Sequence, residues 1–129
     1  MADQDSGTSR SFAANEIIFE DGEIGRAAYV VASGRVEISK ATPGGSQPHI
    51  LGYIGTGGIF GEMALIDHRP RMARARALEP TMLIVIGEPA LEKKLGTCDP
   101  FVRGMLTMFV RNIRALTDQL VAGPGGEAE

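Results

Sequence analysis

Ile59-Phe60-Gly61-Glu62-Met63-Ala64-Leu65-Ile66-Asp67-His68-Arg69-Pro70-Arg71-Met72-Ala73 is the stretch from which the rest of the chain is read. Glycines lead into it at positions 55, 57 and 58 and recur at Gly61. The pattern predicts a single helical turn over residues 62–66, a turn at Pro70, and Arg71 at the start of a strand. A helix that opens on a glycine leaves backbone N–H groups without internal acceptors, with the positive end of the helix dipole behind them. Gly61 carries no Cβ to block close approach. Arg71 adds a planar cationic fork that suits a phosphate. Glu62 beside an anion site is repulsive unless it accepts hydrogen bonds from the ligand, and a carboxylate suits a pair of sugar hydroxyls. Phosphate on amides and arginine, with ribose on glutamate, describes a nucleotide monophosphate.

The run Phe60-Gly61-Glu62-Met63-Ala64-Leu65-Ile66, followed by Pro70-Arg71 and small residues, resembles the phosphate-binding cassette of the cyclic-nucleotide-binding domain family. That family includes cyclic AMP receptor proteins, regulatory subunits of protein kinase A and cyclic-nucleotide-gated channels. The likeness extends from about Phe12 to Leu120. It implies an α+β fold: an antiparallel, jelly-roll-like β-roll or barrel with a short cassette helix and two C-terminal helices. It implies that Phe60, Gly61, Glu62, Met63, Ala64, Arg71, Met72 and Ala73 bind a cyclic nucleotide. In that arrangement Arg71 takes the phosphate and Glu62 accepts from the ribose 2′-hydroxyl. The alternatives are an Arg71 that merely pairs with Glu62, a Glu62 that serves only the helix dipole, and a Gly61 that serves only a turn.

A single arginine does not suffice for the phosphate. A charge-assisted hydrogen bond is worth about 1.5–3 kcal/mol, whereas micromolar affinity needs about 8 kcal/mol. The amides near Met63, Ala64 and Met72 are therefore expected to share it. Met72 lacks the hydroxyl that members favouring cyclic GMP often present there, which tilts the expectation to cyclic AMP. Family members that bind cyclic AMP usually have alanine or serine at that position. Arg74 also departs from the family, where a small polar residue is usual, and by alternation it points away from the pocket. From the long C-terminal helix, Thr117 or Arg114 is a possible base contact, and equally a solvent-facing residue.

The 129 residues suffice for one domain with a core, and 43% hydrophobic content excludes a disordered chain. No apolar run reaches the roughly 18 residues of a membrane span, and residues 1–11 are polar, without a signal-peptide core. Cys98 is the only cysteine, which excludes an internal disulfide. A cytoplasmic protein is the expectation, with no membrane contact. A net charge of −3 argues against DNA as a partner. Arg69, Arg74 and Arg76 read better as a solvated strand edge than as a nucleic-acid patch. His49 and His68 do not make a metal site, no nucleophile–base pair is visible, and no cofactor is expected beyond the nucleotide ligand itself.

Residues 1–11 are read as a flexible tail and residues 12–87 as the β-roll. Strands are predicted around Ile17-Ile18-Phe19, over 27–32, over 35–40 with Val36 and Ile38 inward, over 48–54, and over 81–86. Between 71 and 78, Arg71, Ala73, Ala75 and Ala77 share one face. A short helix spans 88–95, entered at Pro89 and ended at Gly96. Asp99 then caps a helix, with Pro100 at its first position, that is expected to run to Val121 and stop at Gly123-Pro124-Gly125-Gly126. That is about 22 residues, or roughly 33 Å. Residues 122–129 are read as a second flexible tail. Val102, Leu106, Phe109, Ile113, Leu116 and Leu120 form one apolar strip of this helix, and Phe101, Met105 and Met108 a second. One strip is expected on the barrel and the other on a second copy of the chain, a homodimer; the alternative is one wide face buried in a monomer. Without a helix-turn-helix after residue 121, a stand-alone sensor that signals to an unknown protein effector through its C-terminal helices is expected. The competing expectation is an interaction module of the same fold that binds no nucleotide.

Overall fold

The computed structural model describes residues 8–45 and 47–127, with side chains described as far as residue 122. Eight strands and three helices follow in the order β1 (Thr8–Phe12), β2 (Ile17–Phe19), β3 (Ala27–Ser33), β4 (Val36–Lys40), β5 (His49–Ile54), β6 (Ile59–Phe60), α1 (Met63–Asp67), β7 (Arg74–Ala77), β8 (Thr81–Gly87), α2 (Glu88–Gly96) and α3 (Pro100–Glu127). The strands make two four-stranded sheets, ordered β1-β8-β3-β6 and β2-β7-β4-β5. Every pairing is antiparallel. This is the expected β-roll with a cassette helix and two C-terminal helices.

Side chains from both sheets meet in one core, including Phe12, Tyr29, Val31, Val36, Ala75, Leu83 and Val85. Phe19, Tyr29 and Phe60 form its aromatic centre, with ring centroids 5.4 to 6.2 Å apart. The alternation read between 71 and 78 holds: Arg71, Ala73, Ala75 and Ala77 are all buried. The strand itself begins at Arg74, three residues later than expected. The β3–β4 connection needs Gly34, whose φ is +102° and where a Cβ would lie 2.4 Å from Thr81 Oγ1.

Four expectations are corrected. Residues 8–11 are not tail but strand: β1 pairs along its length with β8, Thr8 opposite Val85 and Phe12 opposite Thr81. Alternating Thr, Ser and Arg side chains are compatible with an exposed edge strand, and the buried Phe12 anchors its end. Residues 1–7 lie outside the described residues. The β4 alternation also hid two buried polar residues, Glu37 and Ser39. Glu37 is tolerated because Arg76 stands directly opposite in β7 and donates through Nη2 at 3.1 Å.

The remaining two corrections concern α3. Its backbone continues to Glu127, through the Gly123-Pro124-Gly125-Gly126 expected to stop it. Proline removes one N–H donor and glycine lowers helix propensity, but neither forbids helical dihedrals. Residues 128 and 129 of the expected tail lie outside the described residues. The packed face of α3 is also not either apolar strip. Val110, Thr117 and Val121 are buried, with Leu106, Thr107 and Arg114 half-buried between them. Val102, Phe109, Ile113, Leu116 and Leu120 are exposed, as are Phe101, Met105 and Met108. The inward face was misassigned because it carries the polar residues Arg114 and Thr117, and the Arg114 partner, Asp67, is distant in sequence. The start of α3 is as expected, with Asp99 Oδ1 accepting the Phe101 N–H at 2.8 Å.

Candidate functional site

β6 ends at Phe60, and Gly61 turns the chain with φ of +82°, a conformation that favours glycine. Glu62 then caps α1, whose first turn is closed by Leu65 and Ile66 N–H groups donating to the Glu62 carbonyl at 3.1 Å. Helix termini leave the first N–H groups without helical acceptors. α1 ends at His68, which is left-handed at φ 55°. From there the chain returns through Pro70 to Arg71, bringing it back to Gly61.

The Arg71 side chain is only 5% exposed. Its Nη1 donates to the Gly61 carbonyl at 2.6 Å and its Nη2 to the Ala27 carbonyl at 2.7 Å. Its Cζ lies 4.0 Å from the centre of the Phe19 ring. Nε is buried without a hydrogen-bond partner. Burial lowers the Arg71 pKa, opposed by Tyr29, Glu23 and Glu62, yet an arginine stays charged at any ordinary pH. No ion pair within 4.0 Å joins Arg71 to Glu62 among the described residues, although the two attract each other over a longer distance. Burial raises the Glu62 carboxyl above its ordinary value, opposed by its own backbone amide and then by Arg71.

These groups border a cleft of about 180 Å³ between the sheets and α1. Phe60, Gly61, Glu62, Met63, Ala64, Arg71, Met72 and Ala73 all line it. The structure thus gathers the whole cassette set around one cavity. Phe19, Ile38, Ile54 and Ile59 complete the lining and were not assigned to the site from sequence. The inward alternation of Ile38 was their available signal. The cleft is an apolar chamber with one guanidinium and one carboxylate at its cassette end.

Thr117 and Arg114 do not line it. Thr117 is buried on the packed face of α3. Arg114 is bound to Asp67, the last residue of α1, with Nη2 3.0 Å from Oδ1 and Nε donating to the other oxygen. Two arginines of the run are likewise engaged: Arg74 Nε donates to Glu20 at 2.9 Å, and Arg76 bonds Glu37 and Asn15. Among the described residues one group has metal-ligand character. His68, Glu88 and Glu92 bring ligand atoms within 4.8 Å of one another. The His68 imidazole lies 3.3 Å from Glu92 and 3.8 Å from Glu88, a polar contact between the end of α1 and α2. Cys98 is a free thiol between α2 and α3.

The family model described as cyclic nucleotide-binding domain matches residues 9–98. The chain belongs to this family. Among curated relatives, the cyclic AMP receptor protein of Thermus thermophilus is 44% identical over 69 residues, covering 54% of this chain and 32% of that protein. The cGMP-dependent protein kinase 2 of Mus musculus is 32% identical, covering 65% of this chain and 11% of the kinase. Among solved structures, the EAL enzyme Bd1971 in its cAMP-bound form superposes with a TM-score of 0.79 at 33% identity, covering 88% of this chain and 30% of that one. The Thermus thermophilus catabolite activator protein gives 0.69 at 30% identity, over 88% of this chain and 53% of its own. The chain spans between about a third and a half of the length of the first curated relatives it matches. Among the described residues no helix is long and apolar enough to cross a membrane.

Proposed function

We propose that this domain is a cyclic-nucleotide sensor that takes cyclic AMP in preference to cyclic GMP and reports occupancy through its C-terminal helices. The observation that carries the reading is Arg71: a buried guanidinium at the cassette end of an apolar cleft, beside the Glu62 carboxylate. A cyclic phosphodiester has one negative charge to place there. It would compete with the Gly61 carbonyl for Nη1 and share the amides of Met63, Ala64 and Met72. Glu62 would accept from the ribose hydroxyl, and the apolar lining would take the purine. The preference for cyclic AMP rests on Met72, which lines the cleft and has no hydroxyl to offer a guanine. The relatives named for cyclic AMP, and the cAMP-bound enzyme that superposes on this chain, support the same ligand class.

Output follows from the mechanics of α1. The cassette helix is fastened to α3 by Asp67–Arg114 and to α2 by His68 with Glu88 and Glu92. A ligand that repositions α1 therefore shifts both C-terminal helices, provided it binds the two helix positions with different affinity. The receiver is an unknown protein effector or a second copy of the chain, met through the exposed apolar side of α3.

The alternative is an interaction module that binds no nucleotide, and one observation favours it: both terminal nitrogens of Arg71 already have carbonyl partners. Calorimetric titration with cyclic AMP and cyclic GMP, on the wild type and on Arg71→Ala, separates the two. Micromolar or tighter cyclic AMP binding that is lost in the variant is expected. Absence of heat with either nucleotide at millimolar concentration would establish the interaction module, and equal affinity in the variant would remove Arg71 from the site.

A further inference from the structure

The connection between β2 and β3 grips Arg71 from behind. The Arg71 N–H donates to the Glu23 carbonyl at 2.7 Å, and the Gly22 N–H donates to the Arg71 carbonyl at 2.8 Å. These two bonds fix the main chain of the arginine. The residues bounding the connection fix its side chain: the Phe19 ring lies against Cζ, and the Ala27 carbonyl takes Nη2. Gly25 fills the gap between them. A Cβ on residue 25 would lie 2.7 Å from Arg71 Cζ, 2.8 Å from Nε and 3.0 Å from the Ala64 Cβ.

The contrast with Gly22 shows what kind of glycine this is. Gly22 is left-handed at φ +89° with open space where its Cβ would stand, so its backbone demands glycine. Gly25 is not left-handed, so its φ does not itself demand glycine. What a Cβ there would meet is the guanidinium, with the Ala64 Cβ beside it. The neighbouring wall is closed by Ala64, which itself lines the cleft, so the guanidinium has no free direction in which to yield while keeping its two carbonyl acceptors.

We infer that Gly25 is a positioning residue for nucleotide binding: its missing side chain is the slot that aims the Arg71 guanidinium into the cleft. Gly25 does not line the cleft, and it acts through Arg71 alone. The inference rests on Arg71 as the phosphate ligand. Its consequence is unusual for a glycine in a loop. Adding one methyl group costs ligand affinity by moving another residue's side chain, while the β-roll persists.

The test compares wild type, Gly25→Ala, Arg71→Ala and the double variant. Gly25→Ala is expected to bind cyclic AMP about tenfold more weakly or worse, the loss of one charge-assisted bond. In ligand-free protein the Arg71 Nε–Hε nitrogen–proton resonance is expected to move, with amides remote from residues 20–27 and 60–72 unchanged. The drop in melting temperature caused by Gly25→Ala is expected to shrink in the Arg71→Ala background, where the new methyl group meets only the Ala64 Cβ at 3.0 Å. An unmoved Arg71 resonance, or an equal melting loss in both backgrounds, would overturn the inference. Should Gly25→Ala fail to fold alone, a double variant that folds supports the inference and one that does not overturns it. If the wild type takes up no cyclic nucleotide, the reading of the cleft fails instead. The resonance and melting arms still decide what Gly25 does.

Discussion

Arg114 of α3 holds Asp67 at the C-terminal end of α1 through two guanidinium nitrogens, and the two side chains are only 12% and 10% exposed. A carboxylate at a helix C-terminus faces the negative end of the dipole and is stable there only if paired. The fork of an arginine supplies two parallel bonds, which a lysine does not. Arg114→Ala leaves a nearly buried carboxylate alone and should cost about 3 kcal/mol, within the range for breaking buried pairs. Urea unfolding reads the total. Hydrogen exchange locates it: amides of α3 should lose protection while those of β3, β4 and β8 keep theirs. Uniform loss across the roll would mean that the pair is not a specific tie between α1 and α3.

Arg71 should matter to the empty protein as well as to the bound one. Arg71→Ala removes the donors to the Gly61 and Ala27 carbonyls, and each unsatisfied buried acceptor costs about 1–3 kcal/mol unless water replaces the donor. Arg71→Lys keeps the charge but offers one compact head in place of two spaced nitrogens, so it should recover only part of that loss. Denaturant midpoints without ligand would rank the proteins wild type, then Arg71→Lys, then Arg71→Ala. A ligand-free Arg71→Ala as stable as wild type would show those two carbonyls to be hydrated rather than dependent on the guanidinium.

Glu62 gives the fold a pH dependence of definite sign. Its folded pKa lies above the ordinary carboxyl value of 4.5, with burial the largest cause. Between the unfolded and the folded value the native state holds more proton than the unfolded one. The contribution of Glu62 to stability is therefore complete below pH of about 4.5 and falls as pH rises through the folded pKa. Glu62→Gln removes that loss. The variant should equal or exceed wild type in stability at pH 8, and the difference should shrink as pH is lowered to 4. The same variant should bind cyclic AMP about tenfold less tightly, since a neutral amide accepts more weakly from the ribose than a carboxylate does. Parallel melting curves against pH in wild type and variant check the first claim, and a difference that widens on acidification would contradict the assigned sign.

Most of the cleft was legible because its residues are contiguous. Gly61, Glu62 and Arg71 sit within one short loop–helix–loop, and local chemistry plus the resemblance placed all eight cassette residues around one cavity. Ile38 was seen to face inward, but not that it lines the cleft, because nothing local says where a strand interior meets a cavity. The longer strands were found from apolar runs, alternation and turn signals; the two-residue β6 was too short to read, and β1 was missed because Thr8 to Ser11 has no apolar face of its own and is ordered by pairing with β8. The orientation of α3 was misread for a related reason. Its seam of Leu106, Phe109, Ile113, Leu116 and Leu120 is real as a pattern, but the side facing α1 is chosen by Arg114, whose partner Asp67 lies 47 residues away. A long-range ion pair leaves no periodic trace.

That misreading leaves a physical problem which sets the last prediction. Phe109, Ile113, Leu116 and Leu120 are 52%, 44%, 64% and 54% exposed, and Val102 and Met108 extend the apolar surface toward the start of α3. The intervals of four, three and four residues are those of a coiled-coil seam, so the surface matches a copy of itself in a helix pair. Each large side chain moved out of water there contributes about 1.5–3 kcal/mol, and a symmetric pair counts each one twice. Phe109→Glu together with Leu116→Glu places two like charges per copy in that seam and should leave a monomer. Neither residue touches the cleft or the Asp67–Arg114 tie, so nucleotide affinity per chain should stay within about threefold of wild type, a change of under 1 kcal/mol. Sedimentation velocity over a range of concentrations checks the pairing. A wild type that stays monomeric throughout, with the same sedimentation coefficient as the double variant, would show that this face of α3 does not pair with its own copy.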